Sequence, residues 1–112
     1  LLALKRPGCN AAVTVVHTGV SDLSAYTQKA DVLVAAAGSP NLIKKEWVKP
    51  GAAVVGGGLT RGEGKKILSD VDDEVAEVAG WMTPRVGGVG PMTVAMLLKN
   101  TVEAAKKSAA SH

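Results

Sequence analysis

Three short runs, "AAVTVVH" (11–17), "DVLVAAAG" (31–38) and "GAAVVGGG" (51–58), constrain the fold of this 112-residue chain more than any other feature. Their apolar character is near continuous. A strand with one wet face alternates, whereas one covered on both faces does not, and that is the habit of parallel sheets. Parallel neighbours need a crossover of about a dozen residues. The stretches between the runs, "TGVSDLSAYTQKA" and "SPNLIKKEWVKPG", have that length. The first predicts a helix capped by Ser21, with Leu23, Tyr26 and Ala30 on one face. The second predicts a short helix and a Pro-Gly turn. Such strand–crossover–strand units are right-handed.

Beyond the third run, "RGEGKK" reads as a polar, flexible loop and "DVDDEVAEVAG" as a short helix with its carboxylates at the positive end. "GWMTP" is a fourth, shorter strand. From Pro91, suited to the first helical position, Val94, Leu97, Leu98, Thr101, Val102 and Ala105 form one stripe, with Lys99, Glu103 and Lys106 opposite. The fold class is α/β, a doubly wound parallel sheet.

This length allows one small domain with a thin stability margin. Phe is absent and aromatics are only 3%, so Val, Leu, Ile and Ala must build the core. The net charge of +3 comes from scattered pairs (Lys5 and Arg6, Lys44 and Lys45, Lys65 and Lys66, Lys106 and Lys107) without interleaved aromatics. These read as solvated faces and argue against a nucleic-acid surface. The lone Cys9 rules out an internal disulfide and fits a reducing compartment. No apolar run approaches the ~18 residues of a membrane span, and the start is no signal peptide. "LLALKRPGC" reads as the last turn of a helix stopped by Pro-Gly, so the protein is expected to begin further upstream.

The segment "GGVGPMT" (87–93) places three glycines and a proline between a strand and a helix. It is either a tight turn or a place where a ligand meets bare backbone at a helix N-terminus. Spacing alone matches a dinucleotide fingerprint poorly, since Thr93 stands at the third glycine. His17 ends a strand at the sheet's carboxyl edge, where ligands bind, although a half-buried edge histidine is the plainer reading. Asp70, Asp72 and Asp73 lack the spacing of a calcium loop and read as a solvated helix start. No Cys/His cluster supports zinc.

"GGVGPMTVAMLLKNTVEAA" resembles the C-terminal signature of the methylenetetrahydrofolate dehydrogenase/cyclohydrolase family. "ADVLVAAAGSPNLIKKEWVKPGAAVV", "SDVDDEVAEVAGWMTP" and "AAVTVVHT" are similar to other segments of that family, in the same order. The resemblance covers almost the whole chain. It implies a two-domain parent that oxidises 5,10-methylenetetrahydrofolate to the methenyl form and hydrolyses that to 10-formyltetrahydrofolate. It also implies the cofactor NADP (NAD in some members), tetrahydrofolate derivatives as substrates, a homodimer, and a cytoplasmic or mitochondrial location. Residues 1–112 would be the C-terminal portion of the Rossmann domain. The folate-binding domain with the catalytic lysine, the first Rossmann strand and its phosphate-binding turn would lie outside the chain, leaving no catalytic residue in it.

By the same resemblance, Thr18 would lie near the adenosine ribose, Ala37, Gly38 and Pro40 would run past the cofactor, and Leu59 would meet the nicotinamide end. Val86, Gly87, Gly88, Val89, Gly90, Pro91, Met92 and Thr93 would close over folate and nicotinamide. The chain departs from the family at Gly19 and Val20, at Gly56 (usually Asp), at Ser69 (usually Gly) and at Arg85 and Val86 (usually Val-Pro). Two other readings are another NAD(P)-dependent oxidoreductase and a non-catalytic Rossmann remnant serving as an interaction module.

Overall fold

The computed structural model describes residues 3–5, 7–64 and 67–110. The expected helix end at "LLALKRPGC" falls partly outside them, and its described residues hold no helix. Of the basic pairs, Arg6, Lys65 and Lys66 also lie outside.

The chain runs α1 (Ser24–Thr27), β1 (Val32–Ala35), a 3₁₀ turn (Lys45–Trp47), β2 (Ala53–Gly56), β3 (Leu59–Arg61), β4 (Ile67–Ser69), a second 3₁₀ turn (Asp73–Glu77), β5 (Trp81–Met82) and α2 (Val89–Ala110). Strands β1, β2 and β5 form a parallel sheet in that order. Val32 stands beside Ala53, Ala35 beside Gly56, and Ala53 beside Trp81. The expected crossover between β1 and β2 and the expected fourth strand, β5, are therefore present.

One face of this sheet makes the core. Leu33, Ala35 and Val54 meet Ile43, Val48, Val71 and Val75, contributed by the two connections that hold the 3₁₀ turns. Val54, Val71 and Val75 are fully enclosed, each stabilising the fold by about 1.5–3 kcal/mol relative to exposure. Lys45 ties the 3₁₀ turns together by pairing with Glu77 at 3.3 Å and Glu74 at 3.9 Å.

Several expectations need correction. Residues 11–17 form no strand: within 11–16 no backbone group joins a ladder, and Val15 is 86% exposed. A strand exists only through its ladder, and β1 offers this run none. Nor is the sheet covered on both faces. Val32 and Val34 are 58% and 60% exposed, because only the core-side connections pack closely against β1. Ser21 caps nothing. Leu23 precedes the single turn of α1, and the Asp22 carboxylate accepts from the Ser24 hydroxyl instead. Of the expected loop "RGEGKK", Arg61 instead ends β3, which pairs antiparallel with β4, Thr60 opposite Leu68, while Lys65 and Lys66 lie outside the described residues. Finally, α2 starts at Val89 and not at Pro91. Pro91 still lies in the first turn, where backbone N–H groups have no intrahelical partner.

The stripe on α2 is real in periodicity but not packed. Leu97, Leu98 and Val102 are 65%, 64% and 53% exposed. The helix projects from the body, which gives a radius of gyration of 16.6 Å, against about 13 Å for a compact chain of this length.

Candidate functional site

The carboxyl ends of β1, β2 and β5 carry almost every residue singled out from the sequence. In open α/β sheets ligands bind there. Two clefts open at this end.

The smaller, about 350 Å³, lies between the residue 16–18 segment and the end of β1. It brings Thr18 and Ala37 together, with His17 and Ala36 beside them. His17 lines the cleft and is held by Gly19, two residues on. The Gly19 amide donates to His17 Nδ1 at 2.9 Å, and a β-carbon on Gly19 would fall 2.6 Å from the imidazole. Glycine at position 19, a departure from the family pattern, therefore lets the histidine fold back on its own turn. His17 closes a local turn here and is exposed, so it neither ends a strand nor sits half-buried at a sheet edge as expected, because residues 11–17 have no ladder to join.

Gly38, Pro40 and Leu59 do not line this cleft. Gly38 continues the exposed turn after Ala37 with φ +70, a value that favours glycine. Its carbonyl accepts from the Thr60 hydroxyl at 3.3 Å. Leu59, half exposed, opens β3 just after Gly57 and Gly58, whose amides both donate to the Ala35 carbonyl. Pro40 is exposed beyond the turn.

The turn is held from below by Asp70. This residue is fully buried, and its Oδ2 accepts from the Ala37 amide at 2.7 Å and the Gly38 amide at 2.9 Å. The expected group of three solvated carboxylates is thus taken apart. Asp70 is internal. Asp72 caps the second 3₁₀ turn by accepting from the Glu74 amide, and Asp73 pairs with Arg85 at 2.5 Å. The Glu74 amide and then the Lys44 ammonium hold the Asp72 carboxyl below its ordinary pKa. No group of metal-ligating side chains occurs among the described residues. Arg85 is consumed by Asp73, which anchors the segment leading into "GGVGPMT".

The larger cleft, about 820 Å³ and open to solvent, lies between α2 and the ends of β2 and β5. Gly87, Gly88, Val89, Met92 and Thr93 line it; Val86, Gly90 and Pro91 do not. Trp81, Thr83 and Asn100 complete the wall, and none of its lining side chains titrates. The Thr83 hydroxyl accepts from the Gly56 amide at 2.8 Å, fixing the floor. Such a cleft can hold and orient a flat, largely apolar ring but cannot move a proton. Thr83 was missed by sequence reasoning. A hydroxyl just past a short strand was its only signal.

Comparison with known proteins accounts for this arrangement. Residues 1–109 match the family model described as tetrahydrofolate dehydrogenase/cyclohydrolase, NAD(P)-binding domain. The bifunctional protein FolD of Syntrophotalea carbinolica is 60% identical over 109 residues, covering 97% of this chain and 37% of the relative. FolD 1 of Salinispora tropica is 59% identical over 111 residues, covering 99% of this chain and 36% of the relative. The chain thus spans little more than a third of the curated relatives it matches. Among solved structures, the FolD dehydrogenase/cyclohydrolase of Campylobacter jejuni superposes with TM-score 0.82 at 49% identity, over 88% of this chain and 35% of that one. The Trypanosoma brucei enzyme, complexed with NADP and an inhibitor, gives TM-score 0.78 at 42% identity over 88% of this chain and 36% of that one.

Proposed function

This chain belongs to the tetrahydrofolate dehydrogenase/cyclohydrolase family through its NAD(P)-binding domain, and we propose that it is the C-terminal, cofactor-holding portion of an enzyme that acts on 5,10-methylenetetrahydrofolate. The parent oxidises that substrate with NADP and hydrolyses the methenyl product to 10-formyltetrahydrofolate. The observation that carries this reading is the pair of clefts at one sheet end, with "GGVGPMT" forming the wall of one and Thr18 and Ala37 that of the other.

The residues fit a dinucleotide. The smaller cleft offers a hydroxyl at Thr18 and the exposed backbone of Ala36 and Ala37. The larger offers an indole, two methionines and bare glycine backbone to a planar ring. NADP, when bound, supplies the hydride acceptor. The chain's own residues bind and orient: Thr18, Ala37, Gly38, Pro40 and Leu59 along the cofactor, and the segment from Val86 to Thr93 over nicotinamide and folate. The folate-binding domain supplies the proton-transferring group. The assembled protein is a cytoplasmic homodimer. The outer edge of β1, unpaired among the described residues, supports an edge available for association. No described helix is long and apolar enough to cross a membrane. At least half of the described cations, Lys44, Lys45, Lys49, Arg85 and Lys106 among them, are paired with carboxylates, which supports a protein without a nucleic-acid face.

A chimera tests the reading. The 112 residues alone give no folate-dependent NADP reduction. Joined to the amino-terminal part of the Syntrophotalea carbinolica relative, they give turnover in both steps. A chimera that folds and stays inactive would contradict the assignment.

A further inference from the structure

The Ala37–Gly38 turn borders the smaller cleft, and its two amides point at one oxygen of a buried carboxyl. A turn with exposed, convergent N–H groups is an anion nest. Here both donors are taken, at 2.7 and 2.9 Å, by Asp70 Oδ2. The Gly38 carbonyl already accepts from the Thr60 hydroxyl at 3.3 Å, so what the turn has left for a ligand is the Ala37 carbonyl oxygen, which accepts hydrogen bonds and repels phosphate. We infer that Asp70 is a positioning residue for the cofactor cleft: it turns the Ala37–Gly38 backbone so that this wall receives a hydroxyl-bearing portion of the ligand, a ribose, and rejects a phosphate. The inference rests on the cofactor reading above for the identity of the ligand, but not for the clamp.

The clamp is built into three segments. The Asp70 amide donates to the Gly58 carbonyl at 3.1 Å, and its carbonyl accepts from the Ile43 amide at 2.9 Å. The carboxyl lies flat against Gly58, where a β-carbon would fall 1.9 Å from Oδ2 and 2.4 Å from Cγ. Glycine at position 58 is therefore required by the carboxyl itself, since that space is already filled. Asp70 Oδ1, buried against the same backbone, has no hydrogen-bond partner. A buried acceptor left unmatched is costly. Its presence here is consistent with a side chain placed for the turn above it and not for its own satisfaction.

The test uses the ¹⁵N-labelled chain with Asp70→Asn, Asp70→Ala and Gly58→Ala, read by amide exchange and by titration. In the wild type, the Ala37 and Gly38 amides exchange slowly, and inorganic pyrophosphate moves neither. In Asp70→Ala both exchange faster by about tenfold or more, as loss of a hydrogen bond implies, and pyrophosphate now shifts both. Asp70→Asn, which keeps an oxygen in place, retains most of the protection. Gly58→Ala displaces the carboxyl and reproduces the loosening. Saturable pyrophosphate shifts at Ala37 and Gly38 in the wild type would overturn the inference even if Asp70→Ala fails to fold. So would protection that is unchanged in Asp70→Ala or Gly58→Ala. NADP that moves no resonance of Thr18, Ala36 or Ala37 would overturn the cofactor reading and the ribose assignment with it. An unchanged exchange pattern would overturn the clamp alone.

Discussion

Gly88 lies directly beneath the carbonyl oxygen of Pro84: a β-carbon at position 88 would sit 2.8 Å from it. Gly90, two residues on, has open space around the same position. Gly87 differs again, with φ +83. The three glycines of "GGVGPMT" thus differ in what requires them. Gly87 sets the turn, Gly88 lets two backbone segments approach, and Gly90 has no reason within the fold. Inside α2, Gly90 costs about 1 kcal/mol relative to alanine, and nothing among the described residues offsets that cost; it lies beside the larger cleft's lining and not in it.

The contrast is measurable by thermal denaturation of the chain. Gly90→Ala should stabilise by about 0.5–1 kcal/mol. Gly88→Ala should destabilise by about 1–3 kcal/mol, because backbone and not a flexible side chain must yield. A Gly90→Ala variant that melts lower would give Gly90 a structural role. In the active chimera, Gly90→Val should lower turnover despite the sound fold.

Gly56 and Ser69 form a size-compensated pair. A β-carbon on Gly56 would meet the Ser69 hydroxyl at 3.2 Å, Val71 Cγ2 at 3.4 Å and the Thr83 hydroxyl at 3.5 Å. Where the family pattern has Asp and Gly, this chain has Gly and Ser. Gly56→Asp alone should destabilise, since the side chain enters a filled, partly buried space between the Ser69 and Thr83 hydroxyls and a Val71 methyl. Adding Ser69→Gly should recover part of the loss, although the Val71 amide then loses its 3.2 Å bond to the serine hydroxyl. A double-mutant cycle should give a coupling of about 0.5–3 kcal/mol. A coupling near zero would deny the pairing.

Asp31 and Asp72 predict acid sensitivity. The Lys49 ammonium, 2.6 Å away, lowers the Asp31 pKa, and the Glu74 amide followed by Lys44 lowers that of Asp72. A carboxylate with a depressed folded-state pKa favours folding above its unfolded value, and that contribution is lost as pH falls through the folded value. Asp31 is exposed and Asp72 half-buried, so the effect is small and, at Asp31 above all, screened by salt. Denaturant midpoints should be flat from neutral pH to about 5 and fall below about 4. Lys49→Met should flatten part of that fall, and an unchanged profile would remove Asp31 from the account.

Much of this was legible in the residues. The continuous apolar runs of β1 and β2, the crossover between them, β5 and the periodicity of α2 all follow from composition and spacing. Residues 11–17 look equally strand-like, but strand formation depends on a partner's ladder, which is a property of another segment. The β3–β4 hairpin was hidden because "LTR" and "ILS" are too short to show alternation. Asp70 was hidden for a different reason. One carboxylate among three in "SDVDD" goes inside, and what selects it is the bare backbone of Gly58, twelve residues earlier.

The central claim is that the two clefts divide one cofactor and its substrate between them. Titrating the ¹⁵N-labelled chain with NADP and then with tetrahydrofolate tests it most directly. Binding should be weak, on the order of millimolar, because open clefts bury little of a ligand. NADP should shift Thr18, Ala36 and Ala37, and tetrahydrofolate should shift Gly88, Val89, Met92 and Thr93. NADP shifts confined to residues away from both clefts, or tetrahydrofolate shifts absent from the α2 cleft, would contradict it.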